Sequence, residues 1–87
     1  MSFAFLATVR RGPWVACTSD QNFDMAVRVI ASGDKQALGS MIAQGRCTVL
    51  ESGETVDVMD THMFSGKVEV RKRGTASVLY TFYEAVQ

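Results

Sequence analysis

Near residue 46 the spacing of apolar residues changes period, and this change limits the possible folds more than any other feature of the chain. Upstream, Phe23, Ala26, Val27 and Ile30 recur at i, i+3, i+4 and i+7, the repeat of one helix face. Downstream, Val56 with Val58, and Val68 with Val70, alternate with polar residues, the repeat of strands buried on one face. One segment must therefore supply helices and the other a sheet, and each must cover the other's apolar side.

Punctuation sharpens the boundaries. Thr18 followed by Gln21 has the form of a capping box, and Gly33 that of a left-handed helix stop. Asp34 can cap a second helix whose apolar side is Ala37, Leu38, Met41 and Ile42, ended by Gly45. Residues 18–45 are thus predicted to form a helical hairpin. In residues 46–86, "RCTVL", "TVDVMD", "GKVEVRK" and "ASVLYTFY" read as four strands, with turns at "ESGE" and "RGT" and a closing helical turn at "YEAV". Before the helices, "FAFLATV" reads as a strand, "RRGPW" as a turn and "WVAC" as a short returning strand. The expected class is α+β: an N-terminal strand, a helical hairpin, then a small antiparallel sheet or barrel, in one domain over residues 1–87.

Size and charge narrow the function. A chain of 87 residues buries only about 60% of its unfolded surface, and a deep catalytic cleft would remove packing from that thin core. Nine basic and nine acidic side chains cancel, leaving no global field to attract nucleic acid or anionic lipid. No apolar run approaches the length of a membrane-spanning helix, so no membrane contact is expected. In "MSFAFLATVRR" the arginines follow the apolar run, the reverse of a signal peptide. If translation starts upstream of Met1, the chain could instead be a mature exported protein.

Cys17 and Cys47 stand in no CxxC or zinc-type spacing. They read as buried thiols of a cytoplasmic protein; the alternative is one bridge closing a loop of about thirty residues, which would imply export.

"VLESGETVDV", then "GKVEVR" and "LYTFYEAV", together resemble the SH3-like barrels of small bacterial proteins over residues 46–86. Those modules follow the same order of strand, glycine turn, V-x-V strand, G-x-V-x-V-R strand and aromatic-threonine strand. Where they often place tryptophan in the last strand, this chain has Tyr80, and its tryptophan is Trp14. Residues 18–45 lie outside a minimal module of this kind, and helix-then-barrel order also resembles Sm-like folds. The resemblance implies a fold and a tendency to bind peptides or proteins, and no reaction. An accessory protein of a bacterial or phage mobile element is the setting inferred, with no residue that carries it.

Four carboxylates, Glu51, Glu54, Asp57 and Asp60, recur every three residues, but that spacing gathers side chains on a helix and scatters them on a strand. They match neither a calcium loop nor a glycosidase pair, so they read as the solvated side of a hairpin. If "TVDVMD" pairs with "GKVEVRK", Lys67 and Arg71 share an outer face with Asp57. His62 reads as an exposed loop residue without a nucleophile beside it. No catalytic constellation, metal motif or cofactor motif is found. The expected function is a protein-interaction module, self-associating as a homodimer or binding a foreign protein. Its expected face is His62, Met63 and Phe64 with Tyr80, Phe82 and Tyr83, because both phases of that last strand are apolar. The alternative is an Sm-like or SH3-like nucleic-acid binder using Arg71, Lys72 and Arg73.

Overall fold

A computed structural model describes residues 5–62 and 65–87. Its class is α+β: two helices and a six-stranded antiparallel sheet. In chain order the elements are β1 (Phe5–Thr8), β2 (Trp14–Cys17), α1 (Asp20–Ala31), α2 (Lys35–Ala43), β3 (Cys47–Leu50), β4 (Thr55–His62), β5 (Lys67–Lys72) and β6 (Val78–Phe82), with a closing 3-10 turn at Tyr83–Ala85.

The sheet order is β1-β4-β5-β6-β2-β3. The two N-terminal strands do not pair with each other: β1 lies at one edge beside β4, and β2 sits between β6 and β3. "WVAC" therefore returns into the middle of the sheet. The reason is the connection after β1, which is fastened to distant parts of the chain and not folded as a tight hairpin. Val9 N–H donates to Glu54 O, Val9 O accepts from Gly53 N–H, and Arg10 N–H donates to Ala85 O, each at 2.8 Å. Gly53, at φ 86°, gives the β3–β4 turn a left-handed residue that a side chain would strain.

Alternation along the strands produces two apolar layers. Val9, Ala16, Leu50, Val56, Val58, Val68, Val70 and Leu79 form one cluster, drawn from every strand region and flanked by Ala7, Trp14, Tyr83 and Val86. Val15, Cys17, Phe23, Ala26, Met41 and Cys47 form the other, between the opposite face and the helices. Thr81, the one fully buried polar side chain among the described residues, donates its hydroxyl to Val15 O at 2.9 Å and so costs no unpaired group. Cys17 and Cys47 face each other across β2 and β3 and are joined as a disulfide, which replaces the free-thiol reading.

The helices follow the sequence with two corrections. The cap of α1 is Ser19, whose Oγ accepts from Asn22 N–H, and not Thr18. Thr18 is still held by the strand ladder, its N–H donated to Arg46 O at 2.9 Å, so the helix can start only one residue later. The inward stripe is Phe23, Ala26 and half-buried Val29, while Val27 and Ile30 are exposed. Helix α2 packs on the Val29 flank through Leu38 and Ile42, and this leaves the Val27 flank open. Asp34 caps α2 as its type predicts, accepting from Ala37 N–H at 3.0 Å. Among the described residues no helix is long and apolar enough to cross a membrane.

Candidate functional site

Strand β4 carries the feature that builds the site. Val56 and Val58 face the core, so strict alternation would drive Asp60 and His62 into it as well. The ladder prevents this: Val58 pairs with Val70, but Asp60 pairs with Glu69, leaving Met59 as the extra residue of a β-bulge. The bulge reverses the phase, and Asp60 and His62 emerge on the outer face beside Glu69. The strand consequently runs on to His62, which is a strand residue and not the loop residue expected from the sequence.

Around it lies a half-open hollow of about 240 Å³, lined by Asp20, His62, Ser65, Lys67, Glu69 and Tyr80. His62 Nε2 is 2.7 Å from Glu69 Oε2 and 3.8 Å from Asp60 Oδ2. Asp60 is oriented by Thr61 N–H, which donates to its other oxygen at 2.9 Å. Lys67 reaches to α1, bonding Asp20 and, at 3.0 Å, Asp24. The hydrogen bonds that Lys67 donates to these two carboxylates hold its pKa above the ordinary range. Burial, helped by the Glu69 charge, likewise raises the Tyr80 phenol.

The hydrogen bond that His62 donates to Glu69 is the main cause that raises the His62 pKa above 6.5, with the Asp60 charge adding to it. A raised folded-state value means that this pair stabilises the protein fully below the unfolded pKa of about 6.5, and that the benefit is lost as pH rises through the folded value. An NMR titration of the His62 ring should give a midpoint above that of an unstructured peptide. Glu69→Gln should move it down toward the peptide; an unmoved midpoint would show that the 2.7 Å bond does not hold in solution.

The residues singled out from the sequence are dispersed. Tyr80 lines the hollow, whereas Phe82 is packed between Trp14 and Phe23, with ring centroids at 6.0 and 4.9 Å. Tyr83 packs against the cluster on the other side of the sheet. Met63 and Phe64 lie outside the described residues. Arg71 is 3.4 Å from Asp57 and Lys72 is 3.4 Å from Glu54, so both spend their charge on neighbours, while Arg73 stands exposed in the following turn. Of the four periodic carboxylates only Asp60 joins the site; Glu54 also accepts Glu51 N–H and closes its own turn.

Glu69 and Asp20 were not singled out as site residues from the sequence. Glu69 could have been found: in "VEV" it takes the outer phase, and the polar Asp60 and His62 in the core phase of "VDVMDTH" demand a phase reversal that brings them opposite it. Asp20 had no such signal, since it arrives from α1 through tertiary packing. No protein-family model, curated protein or solved structure matches this chain.

Proposed function

We propose that this chain is a non-enzymatic protein-interaction module that self-associates through the free edge of β1. The observation that carries this reading is the character of that edge. Among the described residues strand β1 pairs with β4 alone, and its sequence "FLAT" has no charge, proline or bulge to discourage a further strand. Leu6 on it is 55% exposed. The opposite edge strand, β3, has its Cys47 packed beneath the helices beside Met41 of α2. Antiparallel pairing of β1 with its copy would be two-fold symmetric and would face no like charges across the seam. The SH3-like pattern of residues 46–86 points the same way, since such modules bind peptides and proteins. The Cys17–Cys47 bridge supports export over a cytoplasmic location, because disulfides persist in oxidising compartments.

Sedimentation over a wide concentration range tests the reading. The native chain should show a monomer–dimer equilibrium, and Leu6→Lys, which installs the charge that natural edges use, should be monomeric with the unfolding midpoint of the native chain at dilutions where it too is monomeric. A native chain that stays monomeric throughout, or a Leu6→Lys variant that dimerises as well as the parent, ends the proposal.

A further inference from the structure

We propose that Asp60, His62 and Glu69 form a binding site for a divalent transition cation of the zinc type. One imidazole nitrogen and two carboxylate oxygens, one from each residue, all lie within 4.8 Å of one another. In a tetrahedral site with bonds of about 2.0–2.1 Å, neighbouring donor atoms are separated by about 3.4 Å. The His62 nitrogen lies 2.7 and 3.8 Å from the Glu69 and Asp60 oxygens, on either side of that value, so binding requires both carboxylates to readjust about it.

Three further observations favour a cation over an incidental cluster. The backbone delivers the donors: without the extra residue at Met59, Asp60 and His62 would point into the core, and bulges are a common device for aiming side chains at a site. The surroundings are negative although the chain is neutral. Among the described residues Asp20, Asp24, Asp60 and Glu69 meet a single ammonium, and Lys67 commits it to Asp20 and Asp24 on α1, leaving His62 as the cationic partner of Asp60 and Glu69. The donors are also oriented: Thr61 N–H holds one Asp60 oxygen and turns the other toward His62, the kind of outer hydrogen bond that fixes ligands in metal sites.

The donor set determines the class of ion. An imidazole suits zinc and its first-row neighbours, whereas magnesium and calcium prefer oxygen alone. Three protein ligands at an open hollow leave at least one position for water or for a donor from another molecule. His62 Nε2 must give up the hydrogen it shares with Glu69 as the ion enters: an imidazolium releases one proton to solvent, and a neutral ring carries its remaining hydrogen on Nδ1. The site lies on β4 and β5, apart from the β1 edge, and it stands or falls independently of self-association.

The test is a zinc titration of the full chain with its disulfide intact, so that no thiol can chelate, read by calorimetry and by NMR. The expected result is one ion per chain, with shifts centred on Asp60, His62 and Glu69, and no displacement by excess magnesium or calcium. His62→Ala and Glu69→Gln should each weaken binding by more than the roughly 10–100-fold that losing a supporting hydrogen bond costs. Both positions are at least partly exposed, so both variants should keep the parent's circular dichroism. No zinc uptake, uptake undiminished in His62→Ala, or equal competition by magnesium would each overturn the proposal.

Discussion

Reducing the Cys17–Cys47 bridge is expected to lower the unfolding free energy by about 3–4 kcal/mol and the midpoint of thermal unfolding by roughly 12–32 °C. The magnitude follows from the sequence separation of 30, since opening that loop returns entropy to the unfolded chain. For a domain of this length, with a total stability of about 4–13 kcal/mol, it is a large fraction. The folded state should change little. Cys17 and Cys47 are buried opposite each other in the β2–β3 ladder, under Phe23, Ala26 and Met41, and two thiols fill nearly the same space as the bridge. The measurement is equilibrium unfolding with and without reductant, set beside a Cys17→Ala, Cys47→Ala double variant that reductant should leave unmoved. A parent midpoint that shifts by only a degree or two would mean that the two sulfurs are not joined in solution.

How much of this was legible depends on which physical rule governed each element. The class, the helical hairpin and the inward valines follow from local periodicity, and "VDV" and "KVEVRK" fold with the phase the sequence specifies. The pairing of Asp57 with Arg71 follows from the same phase. The position of β2 does not, because strand neighbours depend on contacts distant in sequence, here the bonds from Val9 and Arg10 to Gly53, Glu54 and Ala85. The stripe on α1 was legible only in part: Phe23, Ala26, Val27, Val29 and Ile30 lie on adjoining faces, and which of them turn inward is decided by where α2 packs. The site itself was hidden by one residue. Reading "TVDVMD" as a strand that stops at Asp60 avoids the contradiction of a core carboxylate and core histidine. Taking that contradiction seriously would have called for the bulge, and the bulge brings Asp60, His62 and Glu69 together.

The orientation of α1 makes the second large effect. Phe23→Ala is expected to cost about 3–5 kcal/mol, the range for removing a buried aromatic ring, and to undock the helix from the sheet. Phe23 is 3% exposed and meets Phe82 edge-to-face at 4.9 Å, and Phe82 in turn rests on Trp14. Truncation opens a cavity at the centre of that stack and also removes the ring that Lys67 overlies at 5.9 Å. Near-UV circular dichroism should weaken, and amide protection along α1 should fall further than protection in β4 and β5, whose core valines belong to the other cluster. Ile30→Ala is the discriminating comparison. Both residues belong to the periodic stripe in the sequence, but Ile30 is 44% exposed, and its truncation should cost well under the Phe23 change. Equal losses at the two positions would mean that α1 is rotated toward Val27 and Ile30. Asp20 and Asp24 would then turn away from Lys67, and the negative wall of the hollow would go with them.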